Sequence, residues 1–211
     1  MPGRAQETKV VRDLRMWTGV KIEKTFAKDW RISLEEEVRL RHNVSEVGKY
    51  FTELGIRYRI NKNFALGGAF RFTRDRNNAE GFDNMGRYHL DLRYRGRVDF
   101  LTLYYRLRYQ READGLNMFD MSVRNEKLFR NRIGLKVNSL DWVEPFVTAE
   151  VFQEISPYVA PQFISWRFVA GAAFEPGNFG EIKAGWGFNR ELGALQPAMD
   201  YLIRINYTYS F

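Results

Sequence analysis

YLIRINYTYSF, residues 201–211, alternates with a period of two. Tyr201, Ile203, Ile205, Tyr207, Tyr209 and Phe211 fall on one side of an extended chain. Arg204, Asn206, Thr208 and Ser210 fall on the other. Only a β-strand sorts residues this way, because successive side chains leave opposite faces of the sheet. One face is apolar and aromatic, the other polar, and an aromatic stands at the very end.

The same alternation recurs upstream. LRMWTGVKIEKTF sets Leu14, Met16, Val20, Ile22 and Phe26 against Arg15, Lys21 and Glu23. WRISLEEEVRLRH sets Trp30, Ile32, Leu34, Val38 and Leu40 against Arg31, Glu35, Glu37, Arg39 and Arg41. LGIRYRI, FALGGAFRF, RYHLDLRYR, FLTLYYRLRYQ, KLFRNRIGLKV, WVEPFVTAEVF, FISWRFVAGAAFE and EIKAGWGFN continue it. These segments run about 9 to 13 residues, which suits tilted strands crossing a bilayer. Strands of soluble proteins are shorter, typically about 5 to 6 residues. The connections alternate in kind. AKD, NKN, GR, NSLD and PGNF are short, with turn chemistry. HNVSEVGK, RDRNNAEGFDN, READGLNMFDMSVRN, QEISPYVAPQ and NRELGALQPA are longer and mostly polar. Short turns on one rim and long loops on the other mark transmembrane barrels.

A soluble barrel or sandwich alternates too, so the positions of the aromatics matter. Phe26, Trp30, Tyr58, Phe64, Tyr94, Trp142, Phe174 and Tyr209 lie beside tight turns or the C-terminus. Tyr50, Phe72, Tyr88, Tyr109, Phe129, Trp166, Phe188 and Tyr201 lie beside the longer loops. Amphipathic rings favour the two interfaces of a membrane, and two such belts are what this distribution predicts. The expected fold is all-β: a closed antiparallel up-and-down transmembrane barrel of about ten to twelve strands, twelve being favoured because single-chain bacterial barrels use even numbers. The segments visible in the sequence number about eleven, so a twelfth must come from residues before Leu14, or one segment must fail to span. Residues 1–12 are read as a tail or the remnant of a processed leader, and residues 13–211 as one barrel domain.

Composition sets bounds. The 211 residues suffice for one domain or one barrel. The chain has no cysteine, so disulfides and thiolate metal sites are excluded. No apolar run is long enough for a transmembrane helix. The net charge of +7 admits acidic partners. Nucleic acid is disfavoured among them, because the basic residues alternate with apolar ones and form no exposed patch.

INYTYSF resembles the C-terminal assembly signal of Gram-negative outer-membrane proteins, which implies that Tyr207, Tyr209 and Phe211 are read by the barrel-insertion machinery. MWTGVKIEKTFAKDWRISLEEEVRLR, FTELGIRYRINKNFALGGAFRF, LYYRLRYQR and PFVTAEVF resemble the uncharacterised outer-membrane barrel family catalogued as domain of unknown function 2490. The resemblance covers nearly the whole chain. It implies a bacterial outer-membrane location, with lipid and the assembly machinery as partners. That family has no established activity, so the resemblance assigns no site residue.

If the apolar face meets lipid, the other face lines a lumen. Aligning strands by their turns sets Arg39 near Glu53 and Glu35 near Arg57 across HNVSEVGK. It sets Glu53 near Arg71 across NKN, and Lys136 near Glu144 and Arg130 near Glu150 across NSLD. Opposed side chains on a sheet are close enough for ion pairs, and a narrow lumen requires charges to be paired. One reading is therefore a packed plug that stabilises a small barrel. The other follows from a surplus of inward Lys and Arg. Arg59, Arg87, Arg93, Arg95, Arg106, Arg108, Arg132 and Arg167 form a basic lining, and all but Arg106 are read as lacking an obvious acid partner. A lumen of one sign draws in small anions.

A catalytic constellation is not evident. His89 lies beside Asp91 on the inward face, but no serine stands near it on that face. His42 opens a loop with Ser45 and Glu46 close in sequence, a common arrangement without function. Two histidines offer little to a transition metal. GNFGEIKAGWG carries its glycines on a strand, where they ease packing, and is no phosphate loop. The expectation is a non-enzymatic barrel without cofactor or metal. READGLNMFDMSVRN, with Leu116, Met118, Phe119 and Met121, is the candidate contact surface for a protein or lipid partner.

Overall fold

The computed structural model describes residues 10–77, 81–115, 125–138, 142–156, 160–176 and 179–211. Eleven strands form one closed barrel: β1 (Val11–Phe26), β2 (Trp30–Arg41), β3 (Glu46–Arg59), β4 (Phe64–Asn77), β5 (Gly81–Val98), β6 (Leu101–Asp114), β7 (Asn125–Val137), β8 (Val143–Glu154), β9 (Gln162–Phe174), β10 (Glu181–Glu191) and β11 (Ala198–Ser210). Each strand pairs antiparallel with the next in sequence.

The strand number lies within the expected range, at eleven in place of the favoured twelve, and the parity difficulty has a simple resolution. With an odd number of strands the first and last point the same way. β1 and β11 close the barrel as a parallel pair, in unbroken register from Val11↔Ala198 to Glu23↔Ser210. The seam runs past the last strand residue: Phe211 N–H donates to the Glu23 carbonyl at 3.0 Å, and Thr25 N–H donates to the Phe211 carbonyl at 3.2 Å.

Two connections expected to be long are not. The first tightens to His42–Ser45. His42, Asn43 and Val44 all adopt left-handed backbone angles, φ 52°, 57° and 66°. A β-branched residue rarely sits there. The Asp13 carboxylate holds the turn by accepting from the His42 and Asn43 N–H groups at 3.2 and 2.9 Å. In the second, β4 and β5 extend through polar sequence to Asn77 and Gly81. Ladder hydrogen bonds are made by the backbone, so polar side chains do not end a strand. Strands accordingly reach 18 residues in β5 and none is shorter than 11. Leu116, Met118, Phe119 and Met121 lie outside the described residues.

The outward face is predominantly apolar on every wall. Leu54, Leu90, Ile133 and Trp186, on four different walls, are between 52% and 62% exposed. Cross-strand ring contacts form two bands. Beside the tight turns, Trp30 meets Tyr58 at 4.8 Å, Phe64 meets Tyr94 at 5.1 Å and Trp142 meets Phe174 at 6.4 Å. Toward the opposite rim, Tyr88, Tyr109 and Phe129 form a chain at 6.5 and 5.7 Å, and Trp166 meets Phe188 at 4.9 Å. The aromatics assigned to two belts thus become neighbours on adjacent strands. The barrel interior is the only core this topology offers, and charged residues fill most of it.

Candidate functional site

A cavity of about 1650 Å³ occupies the lumen. Asp29, Asn61 and Lys62 line it at the tight-turn rim, and Glu112, Glu126 and Leu128 line it far up β6 and β7. Its walls carry the inward parity of every strand. Four carboxylates organise the charge, three of them serving several cations each.

Glu150 on β8 is the most heavily shared. Its Oε1 accepts from Arg106 at 2.6 Å and from Arg130 at 2.9 Å, and its Oε2 lies 3.6 Å from Arg167. Arg132, directly opposite Glu150 in register, adds a fourth guanidinium to its surroundings. Asp91 on β5 accepts from both nitrogens of the Arg108 fork at 2.6 and 2.9 Å and from Arg93 at 2.6 Å. Glu23 gathers Lys21, Arg31 and Arg57 at 2.8, 2.9 and 3.0 Å. Glu53 holds Arg71 at 2.7 Å. Side chains of Glu150, Asp91 and Arg108 are under a tenth exposed, so screening by water is weak and the pairing is needed.

The expected pairs fare unevenly. Glu53–Arg71 is directly opposed and bonded. Arg130–Glu150 and Lys136–Glu144 are ion pairs, though not directly opposed: Arg130 faces Phe152, and Lys136 faces Phe146. The β7–β8 register differs from the expected one by two residues, and long side chains reach across the diagonal. Two other pairs are corrected. Arg39 faces Lys49, with a bulge at Arg39 and Leu40, and binds Glu37 at 2.6 Å instead of Glu53. Glu35 faces Glu53, while Arg57 faces Arg31 and bonds to Glu23. The cause is the tightened His42–Ser45 turn, which sets Arg41 opposite Glu46.

Most of the basic lining has partners after all. Arg59 binds Asp29 at 3.1 Å at the tight-turn rim, Arg87 binds Glu112, and Arg93, Arg106, Arg108 and Arg167 share Asp91 or Glu150. One-to-one pairing across hairpins does not reveal a carboxylate that serves three arginines. Arg95 lies over the Tyr104 ring at 5.6 Å. Among the described residues, neither Arg95 nor Arg132 has an acid within ion-pair distance. Arg204, on the inward face of β11, has none either, and its Nε is buried without a hydrogen-bond partner.

Several aromatics line the inward face, Tyr104 and Phe146 among them, and three are buried among these charges: Trp17, Phe51 and Phe152. Trp17, 5% exposed, has Arg39, Arg167 and Arg204 over its ring at 4.0, 4.7 and 5.2 Å. Phe51 receives Arg71 at 3.4 Å, and Phe152 receives Arg130 at 4.6 Å. A ring face attracts a cation, so these rings help hold the guanidinium groups, including Arg130 and Arg167, which share Glu150. The sequence signal was parity: Trp17, Phe51 and Phe152 occupy the charged face of their strands, not the apolar one.

His89 is buried, 3.9 Å from both Glu53 and Asp91, with Nδ1 lacking a hydrogen-bond partner. His42 Nδ1 meets Glu46 at 2.5 Å on the exposed rim. Neither imidazole has a hydroxyl nucleophile bonded to it among the described residues; the Ser45 hydroxyl donates instead to the His42 backbone carbonyl at 2.5 Å. Carboxylate oxygens of Glu144, Glu175 and Glu181 gather within 4.8 Å of one another, but Lys136 and Lys183 already balance two of them. On the outward face one acid stands out. Glu36, opposite Val20 on one side and Thr52 on the other, is exposed and accepts from the Thr52 hydroxyl at 2.6 Å.

No curated protein and no solved structure matches the chain. One family model matches residues 14–189, which takes in all of β2 to β9 and most of β1 and β10. With most of its length so matched, the chain belongs to the family described as proteins of unknown function, DUF2490.

Proposed function

We propose that this protein is an outer-membrane barrel whose arginine-rich lumen admits and holds small anionic solutes. The observation that carries the reading is the opposition of the two faces: an exposed apolar wall with two aromatic bands outside, and a charged cavity of about 1650 Å³ inside. Lipid covers the outer wall, and the strand ending Tyr207, Tyr209, Phe211 is the segment the assembly machinery recognises. No catalytic role is assigned to any residue.

Glu36 provides a test of the membrane location. A carboxylate at mid-strand on the outward face of β2 is unfavourable in lipid. Glu36→Leu is expected to raise stability to urea in lipid vesicles by about 1–2 kcal/mol, less than the cost of a basic residue at the same depth. An unchanged or lower stability in vesicles would count against lipid on this wall.

Permeation is tested by reversal potential across a planar bilayer under a salt gradient. Anion preference is expected at low salt. It should weaken as salt rises, because the screening length falls to about 8 Å near physiological ionic strength. Cation preference would refute the reading. The buried network around Glu150 and Asp91 supports a second one, a closed lumen that binds without conducting. Folded protein that forms no channels at all would favour it, together with an accessory role through the outer loops.

A further inference from the structure

We propose that Arg106, Arg132, Arg167 and Arg204 form a binding site for a phosphate group inside the lumen, an inference that rests on the anionic reading of the cavity and makes it specific. The four side chains come from β6, β7, β9 and β11 and all line the cavity. Their charges act directly on one another: Arg132 interacts with Arg106 and Arg204, and Arg167 with Arg204 and Arg132. Such a group of like charges is unfavourable without a counterion. Glu150 cannot neutralise it, because both its oxygens are already engaged, by Arg106 and Arg130 on one side and Arg167 on the other. The other acids near the group are also engaged: Glu37, which acts on Arg204, is held by Arg39 at 2.6 Å, Asp91, which acts on Arg106, is held by Arg108 and Arg93 at 2.6 Å, and Asp200, which acts on Arg167, is held by Arg15 at 3.0 Å.

The donors left over define the ligand. The Nε–H groups of Arg106, Arg167 and Arg204 are buried with no acceptor, and Arg132 has no ion pair among the described residues. Buried N–H groups without acceptors are costly. Guanidinium forks recognise planar pairs of oxygens, so a group with several oxygens and up to two negative charges satisfies forks arriving from several walls at once. A phosphate meets that requirement. Chloride, with one charge and no oxygen pair, does not. The source is either inorganic phosphate or the phosphate group of a small ester.

Trp17 is placed to report on binding. Arg167 and Arg204 lie over its ring, whereas Trp166 and Trp186 face outward and Trp30 lines the cavity at the tight-turn rim. The experiment uses the full chain folded in detergent, titrated with sodium phosphate and separately with glycerol phosphate at constant ionic strength, with sodium chloride as reference. Heat and tryptophan emission are both recorded. Saturable heat is expected with at least one of the two phosphates, and its identity names the source. The emission change should vanish in Trp17→Phe while the heat remains. Arg132→Gln and Arg204→Gln should each weaken binding about tenfold or more, the usual weight of a charged hydrogen bond. Arg74→Gln, on the outward face of β4 beside Tyr50, should not change it. Glu150→Gln, in whatever fraction folds, should bind phosphate more tightly, since it removes a competing anion. No saturable heat from folded protein, or equal affinity in wild type, Arg132→Gln and Arg204→Gln, would overturn the site. Anion-selective conduction without saturable phosphate binding would overturn the site and leave the lumen reading standing. Saturable binding without conduction would support the site and remove only permeation.

Discussion

Glu150→Ala is expected to destabilise the barrel by about 3–5 kcal/mol, the cost of leaving buried charge without its partner. The expectation follows from how many groups depend on this one carboxylate. Arg106 and Arg130 both bond to Oε1, and Arg167 lies beside Oε2. Removing the acid leaves three guanidinium groups facing one another at a level where side chains are mostly buried. The measurement is urea unfolding in detergent or vesicles. Glu150→Leu combined with Arg130→Met should recover part of the loss by removing one of the stranded charges. Recovery should stay incomplete, because Arg106 and Arg167 remain. A double-mutant cycle should therefore show coupling between Glu150 and Arg130 smaller than the total loss from Glu150 alone. A loss below about 1 kcal/mol would mean that water screens the network as it screens surface ion pairs.

Deletion of Phe211 is expected to reduce assembled barrel in cells by more than it reduces stability in the test tube. The structural cost comes from two ladder bonds at the seam, Phe211 N–H to Glu23 and Thr25 N–H to Phe211, with net worth of about 1–3 kcal/mol together. The ring also lies 5.9 Å from Tyr209 and beneath the Lys24 ammonium at 5.2 Å, closing the band of aromatics at the tight-turn rim. Recognition during insertion would add a separate, kinetic loss. Phe211→Ala keeps both backbone bonds and removes only the ring, so it separates the two contributions. Normal refolding of Phe211→Ala in detergent with depleted barrel in outer-membrane fractions would identify the ring as a recognition element, and Phe211→Tyr should restore assembly. Equal yields of Phe211→Ala and wild type in cells would leave the residue a structural role alone.

Most of the architecture was legible because one rule, alternation, acts on every strand independently. The apolar parity of Val20, Leu54, Phe70, Ile133 and Ile205 gives the outer wall without knowledge of any neighbour. What alternation does not encode is the offset between strands. Three left-handed residues at His42–Val44 made a tight turn from polar sequence that reads as a loop, and that single turn moved Arg39 from Glu53 to Lys49. A slip by an even number of residues keeps every side chain on its face. Parity therefore survived where pairing did not. The convergence of Arg106, Arg130 and Arg167 on Glu150 spans β6 to β9, and no comparison of adjacent hairpins reaches that far. Trp17 is legible by the same rule: its parity, shared with Arg15 and Lys21, places it among charges.

The parallel seam has a consequence for the order in which the barrel comes together. Ten of the eleven strand pairings join neighbours in the chain, each closing a loop of modest length and small entropy cost. β1 and β11 join the two ends of the described sequence, so their pairing bears the largest closure entropy of the set. Contacts of such long range form late and slowly. The sheet can thus grow hairpin by hairpin as an open, curving ribbon, with the β1 edge unsatisfied until the last strand exists. Closure then unites a first strand and a last strand that no hairpin could have joined, and it completes the lumen in the same step. Arg204 on β11 meets Trp17 on β1 only at that moment.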